Sequence, residues 1–232
     1  MCFSPEASFT GGVIISAIGI TTVRKVHKPS QIVFASIPFI FGIQQITEGF
    51  LWIGLQNPDY AFSQKWSTYL FLFFAQILWP FITPISVLLM EENKKRKQFI
   101  KVLLGMGFLL SAYYAFCLIG FKVSPQIISY HIQYNTNFPK STSMIAVFVY
   151  MIVTITPFFI SSIKKMHLFG ICIFLSCLIT TIFFTQYLTS VWCFFAALIS
   201  GIIYWILRDS KIAFNLEKLK ALKSQIKIPF GK

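Results

Sequence analysis

The chain has 232 residues, 56% of them hydrophobic and only 12% charged, with 27 Phe and a formal net charge of +13. That composition leaves too little polar surface to solvate a globule of this length, so lipid is the expected solvent. It also argues against nucleic acid as the partner: in soluble binders clustered Lys and Arg neutralise phosphates, whereas here the basic residues fall between apolar runs, the pattern of membrane topology.

Apolar stretches long enough to cross about 30 Å of hydrocarbon occur at about 8–23, 32–55, 68–90, 99–121, 143–163, 168–186 and 190–207. The opening residues carry no Lys or Arg and include Glu6 and Ser8, which is unlike a cleavable leader, so the first helix is expected to stay in the mature protein. The stretch from Leu168 to Leu207 is about twice what one span requires and is read as two helices with a short turn near Gln186 to Ser190.

Basic residues orient the bundle, because Lys and Arg near helix ends stay on the cytoplasmic side. Seventeen of the 20 follow the first, third, fifth and seventh spans; Lys65, Lys122 and Lys140 fall on the other side. The expected fold is therefore an all-α, polytopic seven-transmembrane-helix bundle over residues 1–207, N-terminus outside and C-terminus inside, in the cytoplasmic membrane of the cell. Anionic headgroups are the expected partners of its basic cytoplasmic face. In the basic tail, 208–232, the apolar residues Ile212, Leu216, Leu219, Leu222 and Ile226 recur at roughly helical spacing. A helix lying on the membrane surface and a solvated tail both fit that pattern.

Small residues mark close packing: Gly12, Ser16 and Gly19 on the first span, Ala197 and Gly201 on the last, which suggests that these two helices touch. Pro38, Pro80, Pro84 and Pro157 fall inside spans, where each removes a backbone hydrogen bond and favours a kink.

Polar residues in apolar surroundings are the informative ones. Glu48 is placed on the second span roughly 10 Å below its outer boundary, with Gln44 one turn deeper on the same face, Gln45 beside it and Trp52 one turn outward. A carboxyl group at that depth costs about 2.5–3.5 kcal/mol on insertion scales, so it should face the bundle interior, a wet cavity or a partner. Gln76 and Trp79 on the third span and Tyr113 and Tyr114 on the fourth come to a similar level. Above them the loop 122–142 offers Tyr130, His131 and Tyr134 as a lid, whereas His27 and His167 sit among cytoplasmic lysines and are read as thickening the positive interface. An interhelical hydrogen-bond clamp and a ligand site both fit the Glu48 cluster; its ligand-binding candidates are Gln44, Gln45, Glu48, Trp52, Gln76 and His131.

Cys117, Cys172 and Cys177 lie in apolar helices and read as small packing residues. Cys2 and Cys193 map to the outer ends of the first and last spans, where a disulfide, unpaired packing and a nucleophilic thiol assisted by His131 and Glu48 are the alternatives.

Taken together, Cys2-Phe3-Ser4 with Ala7-Ser8, the run Gly42 to Gly49, Trp79-Pro80 with Pro84, His131-Ile132 and the run Ser190 to Ala197 resemble an uncharacterised family of bacterial multi-pass membrane proteins beginning Met-Cys-Phe-Ser. The resemblance runs to about Trp205 and implies a bacterial cytoplasmic membrane, with Cys2, Gln44, Gln45, Glu48, His131, Trp192 and Cys193 at the family's recurrent positions. It implies no reaction.

No motif names a chemistry. There is no His-Glu-x-x-His, no Gly-x-Ser-x-Gly and no phosphate-cradling Gly-Lys loop, so no metal site and no cofactor is indicated. The arrangement of histidines argues against a bis-histidine haem, and the last span holds no lysine for a retinal linkage. Two readings stand. One is binding, for transport or sensing, of a small solute or lipid headgroup in an outward-facing pocket around Glu48. The other is an enzyme acting on a lipid or lipid-linked substrate, with Glu48, His131 and Cys2 as the catalytic candidates.

Overall fold

The computed structural model describes residues 4–208, and the tail from 209 onward, with its expected surface helix, lies outside them. Seven helical spans among these residues are long and apolar enough to cross a membrane: Pro5–Val23, Pro29–Gln56, Pro58–Met90, Lys94–Gly120, Thr142–Ile160, Lys164–Phe183 and Thr185–Arg208. The protein is a seven-helix membrane bundle. Its helices are α1 (Pro5–Val23), α2 (Ile32–Gln56), α3 (Ala61–Leu72), α4 (Trp79–Met90), α5 (Lys94–Gly120), α6 (Lys140–Ile160), α7 (Lys164–Phe183) and α8 (Leu188–Ser200). A π-helical segment, Phe73–Leu78, joins α3 to α4 within one span.

Helix α3 of the third span begins at Ala61, earlier than the expected 68. Asn57 Oδ1 accepts the Asp59 N–H at 3.0 Å and closes the preceding turn, so the helix starts directly after Tyr60. Its first turns carry exposed Phe62 and Trp66, aromatic residues of the kind that sit at a membrane interface.

The expected loop 122–142 contains a β-hairpin, β1 (Val123–Ile128) paired antiparallel with β2 (His131–Thr136). Ser129 and Tyr130 form its two-residue turn with φ of 47° and 66°, the left-handed pair a tight hairpin demands and that side chains other than Gly and Asn adopt at a cost. The hairpin folds onto one end of the bundle: buried Ile132 packs with Leu51 and Trp52, and Tyr134 stacks on Phe71 at 5.2 Å. At the opposite, basic end, Lys28 meets Glu92 at 3.5 Å and Lys165 lies 4.4 Å from the centre of the Trp205 ring.

The small-residue stripe of α1 packs on α2 rather than on α8. A Cβ added at Gly19 would overlap the Phe39 backbone, and one added at Gly42 would overlap Ser16. The reason is antiparallel register: small residues on both helices, Gly12 and Ser16 against Gly42, let the two backbones approach. Gly201 approaches α1 more loosely, its added Cβ standing 4.0 Å from Ile18 Cδ1. Gly19→Ala should therefore cost at least about 1–3 kcal/mol through overpacking against backbone. Gly105→Ala, with nothing within 4 Å, should be neutral or stabilising. Thermal unfolding of both variants in maltoside micelles checks the contrast.

Candidate functional site

Helix α2 brings its polar residues into the bundle because the face carrying them lies between α1 and the helices of the opposite wall. Gln44, Gln45 and Glu48 are all at most 1% exposed. Ser190, in the first turn of α8, donates from Oγ to Glu48 Oε1 at 2.5 Å. Trp79 Nε1 donates to Gln44 Oε1 at 2.8 Å, and its ring stacks on Phe41 with centroids 3.8 Å apart. The Gln44 side chain also meets the Cys193 thiol. Three helices thus converge on one polar layer. Within that layer neither amide atom of Gln45 has a hydrogen-bond partner among the described residues, nor does Trp52 Nε1.

Cys193 is buried against Phe71, Leu72, Ala75 and Leu118 and is in no disulfide among the described residues, so it lies inside the bundle instead of at its outer surface. The expectation erred because α8 starts at Leu188 and carries Cys193 more than one turn inward. Cys2 lies outside the described residues, and with it the candidate disulfide. His131, in the hairpin, donates from Nδ1 to Ser129 O at 2.7 Å, and its ring stacks on Tyr187 at 4.6 Å and lies 5.3 Å from Phe184, in the turn leading to α8. A carbonyl only accepts, so the Nδ1 proton is fixed by that bond.

Gln76 lies on the π-helical segment. There Trp79 N–H bonds Phe74 O, five residues back, and Pro80 has no N–H to give the next carbonyl, Ala75 O. Tyr150 supplies it from α6, its hydroxyl donating to Ala75 O at 2.6 Å, while Ser111 of α5 donates to Ile77 O at 2.7 Å. The segment is held open by these contacts, beside a cavity of about 90 Å³ lined by Gln76, Tyr114, Tyr150, Thr189 and Trp192 among others. Gln76 Oε1 and Trp192 Nε1 are buried polar atoms without a partner among the described residues. Tyr113 is turned elsewhere, bonding Thr142 Oγ1 at 2.7 Å at the edge of an apolar groove between α5 and α6. Sequence reasoning found Gln76 and Pro80 but missed the π segment and the role of Tyr150; the one available signal was a proline four residues after an intramembrane glutamine.

A second polar cluster, at the basic end, was also missed. Glu91 is 1% exposed; its carboxylate accepts Ser162 N–H at 2.7 Å, Ser162 Oγ–H at 2.8 Å and Asn93 N–H at 2.8 Å. Arg96 Nη1 donates to Ile160 O and Ser161 O, and His167 Nε2 donates to Ser161 O at 2.8 Å, capping the carbonyl end of α6. His167 thus has a specific partner beyond the positive interface expected of it. Burial pushes the Glu91 carboxyl up, but the bonds from Ser162 and Asn93 outweigh it and hold the group below its ordinary range. A carboxyl lowered in the folded state contributes stability above the unfolded value of about 4.3 and loses it as pH falls through the folded value. Glu91→Gln should therefore lower the unfolding midpoint at neutral pH by the equivalent of about 1.5–3 kcal/mol, and the gap to wild type should close on acidification below about pH 4. A thermal midpoint series against pH reads both.

Together the spans and the buried polar layer define a polytopic helical membrane protein with an intramembrane polar site. The chain belongs to the family of unknown function DUF6629, which residues 1–217 match. No curated protein and no solved structure matches it.

Proposed function

We propose that the protein binds a small polar solute, or the headgroup of a lipid, in the chamber formed by the π segment, α5, α6 and the start of α8, with the Glu48 layer as its adjoining wall. The observation that carries this is the pairing of a buried acceptor, Gln76 Oε1, with a buried donor, Trp192 Nε1, on residues lining one cavity. Each unpaired polar atom costs about 1–3 kcal/mol, and one ligand with a donor and an acceptor satisfies both. The cavity far exceeds the roughly 10–15 Å³ that a single water needs, so it admits a group of several atoms.

The hairpin end is the proposed mouth and faces outward, with the basic end in the cytoplasm against anionic headgroups. The bias of basic residues toward the ends joined by Lys28, Arg96 and Lys165 supports that orientation, and a bacterial cytoplasmic membrane is the setting proposed. An enzyme acting on lipids through Glu48 and His131 draws its support from Cys193 meeting Gln44 in the same layer as Glu48. That thiol, however, is enclosed by Phe71 and Leu72, and a buried cysteine beside a carboxyl group is a poor nucleophile. Transport or sensing is the better supported class.

A panel of small solutes screened by thermal shift tests the reading. At least one should raise the wild-type midpoint saturably, with the effect at least halved in Gln76→Leu and in Trp192→Phe, which keeps a ring but removes the N–H. Shifts of equal size in all three proteins would contradict the site.

A further inference from the structure

We infer that the ligand class of this chamber is a small alkylammonium bearing an oxygen acceptor, free or as a lipid headgroup, held by an aromatic cage of Tyr114, Tyr150 and Trp192. The inference rests on the binding reading above and names its ligand. Tyr150 stands between the other two rings, 6.4 Å from Tyr114 and 5.6 Å from Trp192, at interplanar angles of 78° and 69°. Steeply inclined walls at that spacing let one compact cation meet more than one ring, since the attraction acts out to about 6 Å from a ring centroid.

The polar ends of the cage fit the same class. Tyr150 commits its hydroxyl to Ala75 O, so it offers the chamber its ring and not a donor. Among the described residues no Lys, Arg or His lines the cavity, and Gln76 brings a carbonyl oxygen, which faces positive charge favourably. Thr189, on the wall, immediately precedes Ser190, which donates to the Glu48 carboxyl in the adjoining polar layer. The N–H of Trp192 requires an acceptor, which a hydroxyl or ether oxygen two or three atoms from the ammonium supplies. A simple anion is disfavoured by the ring faces, and a plain hydrocarbon leaves both polar atoms unsatisfied.

The test uses the full chain in maltoside micelles, with choline chloride as probe, sodium chloride as ionic control and 3,3-dimethyl-1-butanol as the neutral isostere of choline. Thermal midpoint and tryptophan fluorescence are the readouts. Choline should give a saturable change at least tenfold tighter than the isostere. Tyr114→Leu and Trp192→Leu should each weaken it at least tenfold, while Tyr114→Phe, which keeps the ring, stays within about threefold. A response to phosphatidylcholine but not phosphatidylglycerol micelles, dependent on Trp192 and without a response to free choline, assigns the same chemistry to a headgroup. Equal binding of choline and its isostere overturns the ammonium assignment and leaves the solute chamber standing. No response to choline or phosphatidylcholine beyond that to sodium chloride overturns the ammonium assignment too, while the chamber itself stands or falls on the solute panel.

Discussion

In hydrocarbon a polar group finds its partner within the protein or goes without, and the arrangement of this bundle follows from how one carboxyl group is accommodated. Glu48 is fully buried on α2, and Ser190, 142 residues later in the chain, donates to it at 2.5 Å. That contact ties the second span to the start of the last. Gln44, one turn deeper, then reaches Trp79 of α4 and Cys193 of α8, so the polar face of one helix holds both walls opposite it. The close seam of α1 on α2 through Gly19 and Gly42 covers the far side of α2.

A second backbone problem is solved the same way. In the π-helical register Pro80 leaves Ala75 O without a backbone donor, and carbonyls of the segment are met from neighbouring helices by Tyr150 and Ser111. This compensation places Gln76 and three aromatic rings around one cavity, so the feature that repairs the backbone also forms the chamber. At the other end Glu91, before α5, and Arg96, in its first turn, hold the end of α6 and the turn after it.

Much of the architecture was legible because its signals are one-dimensional. Runs of apolar residues fix span number, and an isolated Glu48 with Gln44 on one helical face announces a buried polar layer. What escaped depends on relations the sequence does not display. The stripe Gly12-Ser16-Gly19 announces close packing but not its partner, which is set by Gly42 across the seam. The turn Ser129-Tyr130 lacks the Asn or Gly that normally marks a tight hairpin, so β1 and β2 read as loop. Tyr150 looks like one aromatic among many until Pro80 and the π segment give its hydroxyl a task. Glu91 sits beside Glu92 in a charged turn, and nothing in the order of residues separates the buried carboxylate from the exposed one.

The central claim is that Glu48 and Ser190 act as a coupled pair at the heart of the polar layer, and a double-mutant cycle on unfolding free energy tests it most directly. Glu48→Gln, Ser190→Ala and the double variant, unfolded in the same micelles, should be non-additive, with a coupling of about 1–3 kcal/mol. Additivity within about 0.5 kcal/mol would mean that the two side chains are neighbours without being partners, and the account of the polar layer built on them would fail.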